Sequence, residues 1–197
     1  MKPTRRTLLV TIALSALSTS ALASTHAGQQ KAQRYEVQTT LSSIKAGAAR
    51  IRVRAPATSV ERVVRDFNHY KDFIQRFERS HVLGHHAGRT DVYLQVPILR
   101  GAARVWAVVR FEPPKTVNGE QVIEAHLLKG NVKRLDAWWR IKPIDKHHTR
   151  LALEMLIVPK LPVPGSLVTG EVAFAADTAV SGARDRAEQL EAKRHRK

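Results

Sequence analysis

From Arg79 to Val158 apolar and polar residues alternate with a period of two, interrupted only by short turn sequences. Successive side chains on a strand point to opposite faces, so this is the pattern of strands with one face covered. The spacing predicts strands at Arg79–His86, Thr90–Val96, Ala103–Phe111, Gln121–Leu128, Asn131–Ile141 and Arg150–Val158. Ala87-Gly88, Arg100-Gly101, Asn118-Gly119, Gly130-Asn131 and Asp145-Lys146 supply the turns between them. Parallel neighbours would need a crossover of a dozen or more residues, and none fits, so the sheet is an antiparallel meander. Val105, Ala107, Val109 and Phe111 share one parity, as do Leu135, Ala137, Trp139 and Ile141, and Leu151, Leu153, Met155 and Ile157. The other parity carries Arg104, Arg110, Arg134, Asp136, Arg140, Arg150 and Glu154. One face is apolar and the other arginine-rich, as in a curved sheet whose concave side is covered.

The cover is legible further on. Pro162 to Ala192 reads as one long helix, with Val168, Val172, Ala175, Ala176, Ala179, Ala183, Ala187 and Leu190 on a single face. Pro164, Gly165 and Ser166 mark its start, with Ser166 the expected N-cap, and Lys193 to Lys197 place cations at its C-terminus. Alanine buries little area, so this face leaves space that bulky side chains of the opposing layer or a ligand must fill. Gly170 and Gly182 offer places where the helix could shift. Ahead of the meander, Arg50, Arg52 and Arg54 alternate with Ile51 and Val53 in a first strand that Pro56 ends. Thr58 or Ser59 then caps a helix with Val60, Val63, Val64 and Phe67 on one face, followed by a short helical turn at His69–Phe77. Arg34–Ile44 is either an edge strand or a lead-in. The expected fold is α+β: seven strands in a curved antiparallel sheet, two short helices after the first, and a long C-terminal helix in the hollow.

Residues 1–23 read as a signal peptide, with Lys2, Arg5 and Arg6 before an apolar stretch Leu8–Leu17 and an Ala21-Leu22-Ala23 cleavage site. The apolar run is short of the ~20 residues a membrane span needs. The Arg pair also suits twin-arginine export, so the periplasm or secretion, by either route, is the expected destination. Residues 24–47 form a tether and lead-in, 48–192 the folded domain, and 193–197 a basic tail. The 33 Lys and Arg against 17 Asp and Glu, a net +16, call for an anionic partner. For an exported chain that excludes nucleic acid and favours an anionic membrane surface. Leu167 and Phe174, on the outer side of the last helix beside the run Pro159 to Gly165, are candidates to dip into one. With no cysteine, thiolate metal sites, disulfides and Cys nucleophiles are excluded.

The order of elements and several stretches resemble the START-like or SRPBCC superfamily, the helix-grip fold, within it the polyketide cyclase and coenzyme-Q-binding group. The stretches are Ala55-Pro56-Ala57-Thr58-Ser59-Val60, Asp66-Phe67-Asn68-His69-Tyr70-Lys71-Asp72-Phe73, Ser80-His81-Val82-Leu83-Gly84, Trp138-Trp139-Arg140-Ile141 and Pro162-Val163-Pro164. The resemblance implies a deep apolar cavity between sheet and terminal helix that holds a lipid, isoprenoid quinone or polyketide-like molecule, with no cofactor. Parity and helical phase nominate Phe73, Phe77, Val105, Val109, Phe111, Leu135, Trp139, Leu153, Met155, Val172 and Ala176 as its walls. Tyr93, Gln95 and His126, with Glu124, are the polar residues that could reach into it.

Catalytic and metal motifs are wanting. On a strand His81 and His85 share a face while His86 points away, and no third ligand completes a metal set. His147-His148 falls in a turn, and there is no G-x-S-x-G, G-x-G-x-x-G, P-loop, H-E-x-x-H or EF-hand pattern. Three readings stay open: a hydrophobic-ligand binder or lipid carrier, a cyclase- or dehydratase-type enzyme using the same cavity, and an envelope protein with a filled core.

Overall fold

The computed structural model describes residues 31–98, 103–160 and 162–196. The expected signal peptide and the Arg100-Gly101 turn lie outside them. The elements run β1 (Gln33–Val37), β2 (Ala46–Val53), α1 (Ala57–Val64), a 3-10 turn (Phe67–His69), α2 (Tyr70–Phe73), β3 (Arg79–His86), β4 (Arg89–Ile98), β5 (Ala103–Phe111), β6 (Lys115–Val117), β7 (Glu120–Gly130), β8 (Val132–Pro143), β9 (Thr149–Pro159) and α3 (Gly165–Arg194). All pairings are antiparallel, in the order β1-β2-β9-β8-β7-β5-β4-β3, with β6 added on β7. The architecture is the expected α+β helix-grip, with nine strands in place of seven. The first extra strand, β1, is the segment left open as strand or lead-in. The second, β6, is three exposed residues joined to β7 through Asn118 (φ 51) and Gly119 (φ 71). Two successive positive φ values are what a two-residue hairpin turn requires, and Asn-Gly adopts them at least cost.

Both helix starts differ from expectation. Pro56 and Pro164 hold the N-cap positions with fixed φ values of −58° and −55°, and neither helix has a side-chain cap. Pro56 O instead accepts from Ser59 N and Val60 N, and Pro164 O from Leu167 N and Val168 N. Ser166 is an exposed first-turn residue. The Ser59 hydroxyl, free of capping duty, donates to Glu191 Oε1 at 2.5 Å and ties α1 to the end of α3.

The small face of α3 has a physical cause that the sequence leaves ambiguous. A Cβ on Gly47 would lie 2.3 Å from Ala173 N and 2.7 Å from Thr169 O, so the helix backbone rests directly on β2 there. A Cβ on Gly182 would lie 2.1 Å from Phe73 O, so Gly182 is where α3 meets α2, a contact in place of the expected hinge. Ala176, Ala179, Ala183 and Ala187 are buried because the helix approaches so closely. Thr169 Oγ1 to Lys45 O (3.0 Å), Arg34 to Asp177 (2.7 Å) and Arg54 to Glu188 (3.0 Å) fix the helix along the β1–β2 edge.

Candidate functional site

The space between sheet and α3 is packed unevenly from end to end. At the end covered by α1 it is solid: Val53, Val60, Val64, Ile141 and Leu151 have no exposed surface, and the Phe67 and Phe111 rings meet at 4.2 Å. Tyr70 closes the floor with its hydroxyl donating to Val64 O at 2.5 Å, and burial pushes that hydroxyl's pKa up. Toward the other end, where β4, β7 and β9 finish and α3 begins, the same rows of inward-facing apolar residues become partly exposed. Leu94, Val96, Val105, Leu127, Leu135, Met155 and Ile157 line this open end, with Phe73 and Phe77 alongside. Register joins them: Val96 opposes Val105, Val109 opposes Leu127, Leu135 opposes Ile157 and Ala137 opposes Met155.

Of the walls expected from sequence, the structure brings Phe73, Phe77, Val105, Leu135 and Met155 to the open end of the hollow. Val109, Phe111, Trp139, Leu153, Val172 and Ala176 are buried and serve as packing. The four on strands share the parity of wall residues but sit under α1 or α3, and Val172 and Ala176 belong to the buried face of α3 itself, a placement that parity and helical phase alone do not encode. Leu94, Val96, Leu127 and Ile157 join the lining beyond the walls expected from sequence, and the parity of Val92, Leu94 and Val96 marks the inner face of β4.

That same parity corrects the polar candidates. Tyr93, Gln95 and His126 project from the opposite face of the sheet. Tyr93 stacks between His81 and Trp106, centroids 5.4 and 6.3 Å away, and its hydroxyl donates to Gln95 Oε1 at 2.9 Å. Gln95 Nε2 donates to Glu78 at 2.8 Å, and with Arg104 it holds the Glu78 carboxyl below the usual carboxylate range. His126 Nδ1 lies 3.1 Å from Asp136 Oδ1. Among the described residues no group of three His, Asp or Glu converges as a metal site.

Five arginines of the outer face are paired with acids. Arg110 forks onto Asp91 through two bonds of 2.7 Å and holds that carboxyl's pKa down. Arg104 pairs with Glu78, Arg89 with Glu112, Arg134 with Asp136, and Arg140 with Glu154. Near the open end of the hollow, Val163 and Leu167 are exposed, and Phe174 lies exposed between the guanidinium groups of Arg34 and Arg76, 4.7 and 4.9 Å from its ring.

A family model described as polyketide cyclase / dehydrase and lipid transport matches residues 53–179, from the end of β2 into the middle of α3. The chain belongs to this family. No curated protein matches the sequence. Among solved structures the fold is similar to a STAR-related lipid transfer protein from Xanthomonas axonopodis, at TM-score 0.68 and 16% identity over 80% of this chain and 94% of that one. A START superfamily protein from Mycobacterium smegmatis gives TM-score 0.63 and 21% identity over 73% and 97%. A Streptomyces aromatase/cyclase gives 0.53 and 20% over 84% and 97%. At such identities the likeness is one of fold, and the family spans carriers and enzymes alike.

Proposed function

We propose that this family member is exported and binds a hydrophobic small molecule, a lipid, isoprenoid quinone or polyketide-like compound, in the open end of the hollow beneath the first half of α3. The observation that carries this reading is the row of inward-facing apolar residues left partly exposed there, Leu94, Val105, Leu127, Leu135 and Met155 among them. Apolar surface that faces inward without being buried is what a bound apolar molecule would cover. The carrier reading draws support from the exposed Val163, Leu167 and Phe174 beside that opening, apolar side chains suited to entering a lipid surface. A cyclase-type reaction would need polar side chains reaching into the same space, and Tyr93, Gln95 and His126 spend their hydrogen bonds on the other face.

Native mass spectrometry of protein recovered from its own envelope fraction tests the proposal. The expected result is a retained mass of lipid size in the parent chain and its loss in Met155→Trp, whose indole fills the opening while the melting temperature stays near that of the parent. A clean apoprotein from the parent, or an adduct untouched by Met155→Trp, would overturn it.

A further inference from the structure

A second concavity lies at the opposite, solid end of the molecule, on the outside of α1. It is an open cleft of about 940 Å³ between α1, the Phe67–Asn68 turn, the β3–β4 hairpin and the last turns of α3. Its floor is apolar, made by Val63, Phe67, Val82 and Leu190, and its walls carry Arg62, Arg65, Arg89 and Arg186 with the acids Glu61 and Asp66.

The charges on these walls do not cancel. Glu61 is committed to Arg65 at 3.2 Å and to Gln121 Nε2 at 3.1 Å, while Asp66 is hydrogen-bonded to His69 at 2.5 Å and stands as one carboxylate against the remaining wall cations. Arg89 reaches outward to Glu112 at 2.9 Å. That leaves Arg62 and Arg186 as the wall guanidiniums for which, among the described residues, no acid supplies an ion pair. Arg186 Nε is buried and meets no acceptor among them. A guanidinium N–H shut away from water without an acceptor is rare in a folded protein, since such donors are otherwise paired. That Nε is closed off from the cleft too, so an oxyanion there would pair instead with the nitrogens of Arg62 and Arg186 that border it.

We infer that this cleft is an anion site, taking a phosphate or carboxylate group between Arg62 and Arg186, with any attached alkyl portion lying on the floor of Val63, Phe67, Val82 and Leu190. The site is separate from the hollow under α3, so neither reading depends on the other.

The test is a titration of the full chain, followed by amide NMR and by calorimetry, with inorganic phosphate, with dodecyl phosphate below its micellar concentration, and with dodecanol as the uncharged control. Expected are shifts confined to residues 58–68, 82–90 and 186–190. Arg62→Gln and Arg186→Gln should each weaken binding by about tenfold or more, while Arg50→Gln, a charge-matched change at an exposed position of β2, leaves it unchanged. Equal binding of phosphate and dodecyl phosphate assigns the site to a free anion; tighter binding of the alkyl compound assigns it to the headgroup of an amphiphile. Either outcome supports the anion site. Shifts elsewhere, equal weakening by Arg50→Gln, or binding of dodecanol as tight as that of its phosphate would overturn it. Arg62 is exposed on α1, so Arg62→Gln carries the test even where Arg186→Gln fails to fold. Met155→Trp should leave cleft binding intact, which separates failure here from failure of the hollow.

Discussion

The seat of α3 on β2 can be tested by one methyl group. In Gly47→Ala the new Cβ would lie 2.3 Å from Ala173 N, 2.7 Å from Thr169 O and 2.8 Å from Val172 C, all backbone atoms, where ordinary contact begins at 3.4 Å. A flexible side chain could swing away, but a helix backbone cannot, so α3 or β2 must shift by about 1 Å and the helix loses its fit along the strand. Overpacking of this kind costs about 3 kcal/mol, the upper part of the usual range. With a urea m-value of about 2 kcal/mol/M, the unfolding midpoint should fall by about 1.5 M. The matched control is Gly170→Ala on the exposed side of the same helix, where a Cβ meets nothing within 4 Å. There the gain in helix propensity should raise stability by about 0.5–1 kcal/mol. Urea melts followed by far-UV circular dichroism read both. A Gly47→Ala midpoint within about 0.3 M of the parent, or a fall in Gly170→Ala of the same size as in Gly47→Ala, would refute the close-approach explanation of the small helix face.

Leu151, without exposed surface at the solid end, should cost about 2–5 kcal/mol when cut to alanine, as read from the same melts. Tyr70→Phe removes the donor to Val64 O and leaves that carbonyl buried, so a loss of about 1–2 kcal/mol is expected; an unchanged midpoint would mean the bond contributes nothing. Glu78, Asp91 and Asp145 all have pKa values held below normal in the fold, Glu78 and Asp91 by arginine and Asp145 by the backbone N–H of His147. A depressed carboxyl contributes stability above its unfolded pKa and loses it as pH falls through the folded value, so melting temperature should drop from about pH 4 downward. Asp91→Asn should flatten that acid limb, and a limb of undiminished slope would count against the Arg110 pairing as its source.

Much of the fold is readable because one physical signal repeats: an alternation of period two over six strands, followed by a period near 3.6 in the last helix. β6 escapes because Lys115–Val117 is exposed throughout and has no face to bury, so only its Asn-Gly turn leaves a trace. The capping residues misled for a related reason. Ser59 and Ser166 are good N-caps, but the prolines before them already fix the backbone, and Ser59 is used on Glu191 instead. The site is half legible. Parity separates inward from outward, which is enough to find Leu135 and Met155, and applied to β4 it would have turned Tyr93 and Gln95 away. What parity lacks is position along the hollow, because that depends on where α1 lies and how near α3 comes. A run of alanines reads the same whether it leaves a void or lets two backbones touch, and Gly47, far away in the chain, decides between them.

The ion pairs of the strand face bear on how the molecule behaves at a distance. A guanidinium beside a carboxylate has the field of a dipole, which fades faster than that of a single charge and is further cut by salt beyond a Debye length of about 8 Å. A polyanion diffusing toward that face would sense little of Arg89, Arg104, Arg110, Arg134 and Arg140, however basic the composition. Long-range steering falls instead to cations that have no such neighbour among the described residues, Arg62 and Arg186 included, so the end of the molecule that carries α1 should lead the approach.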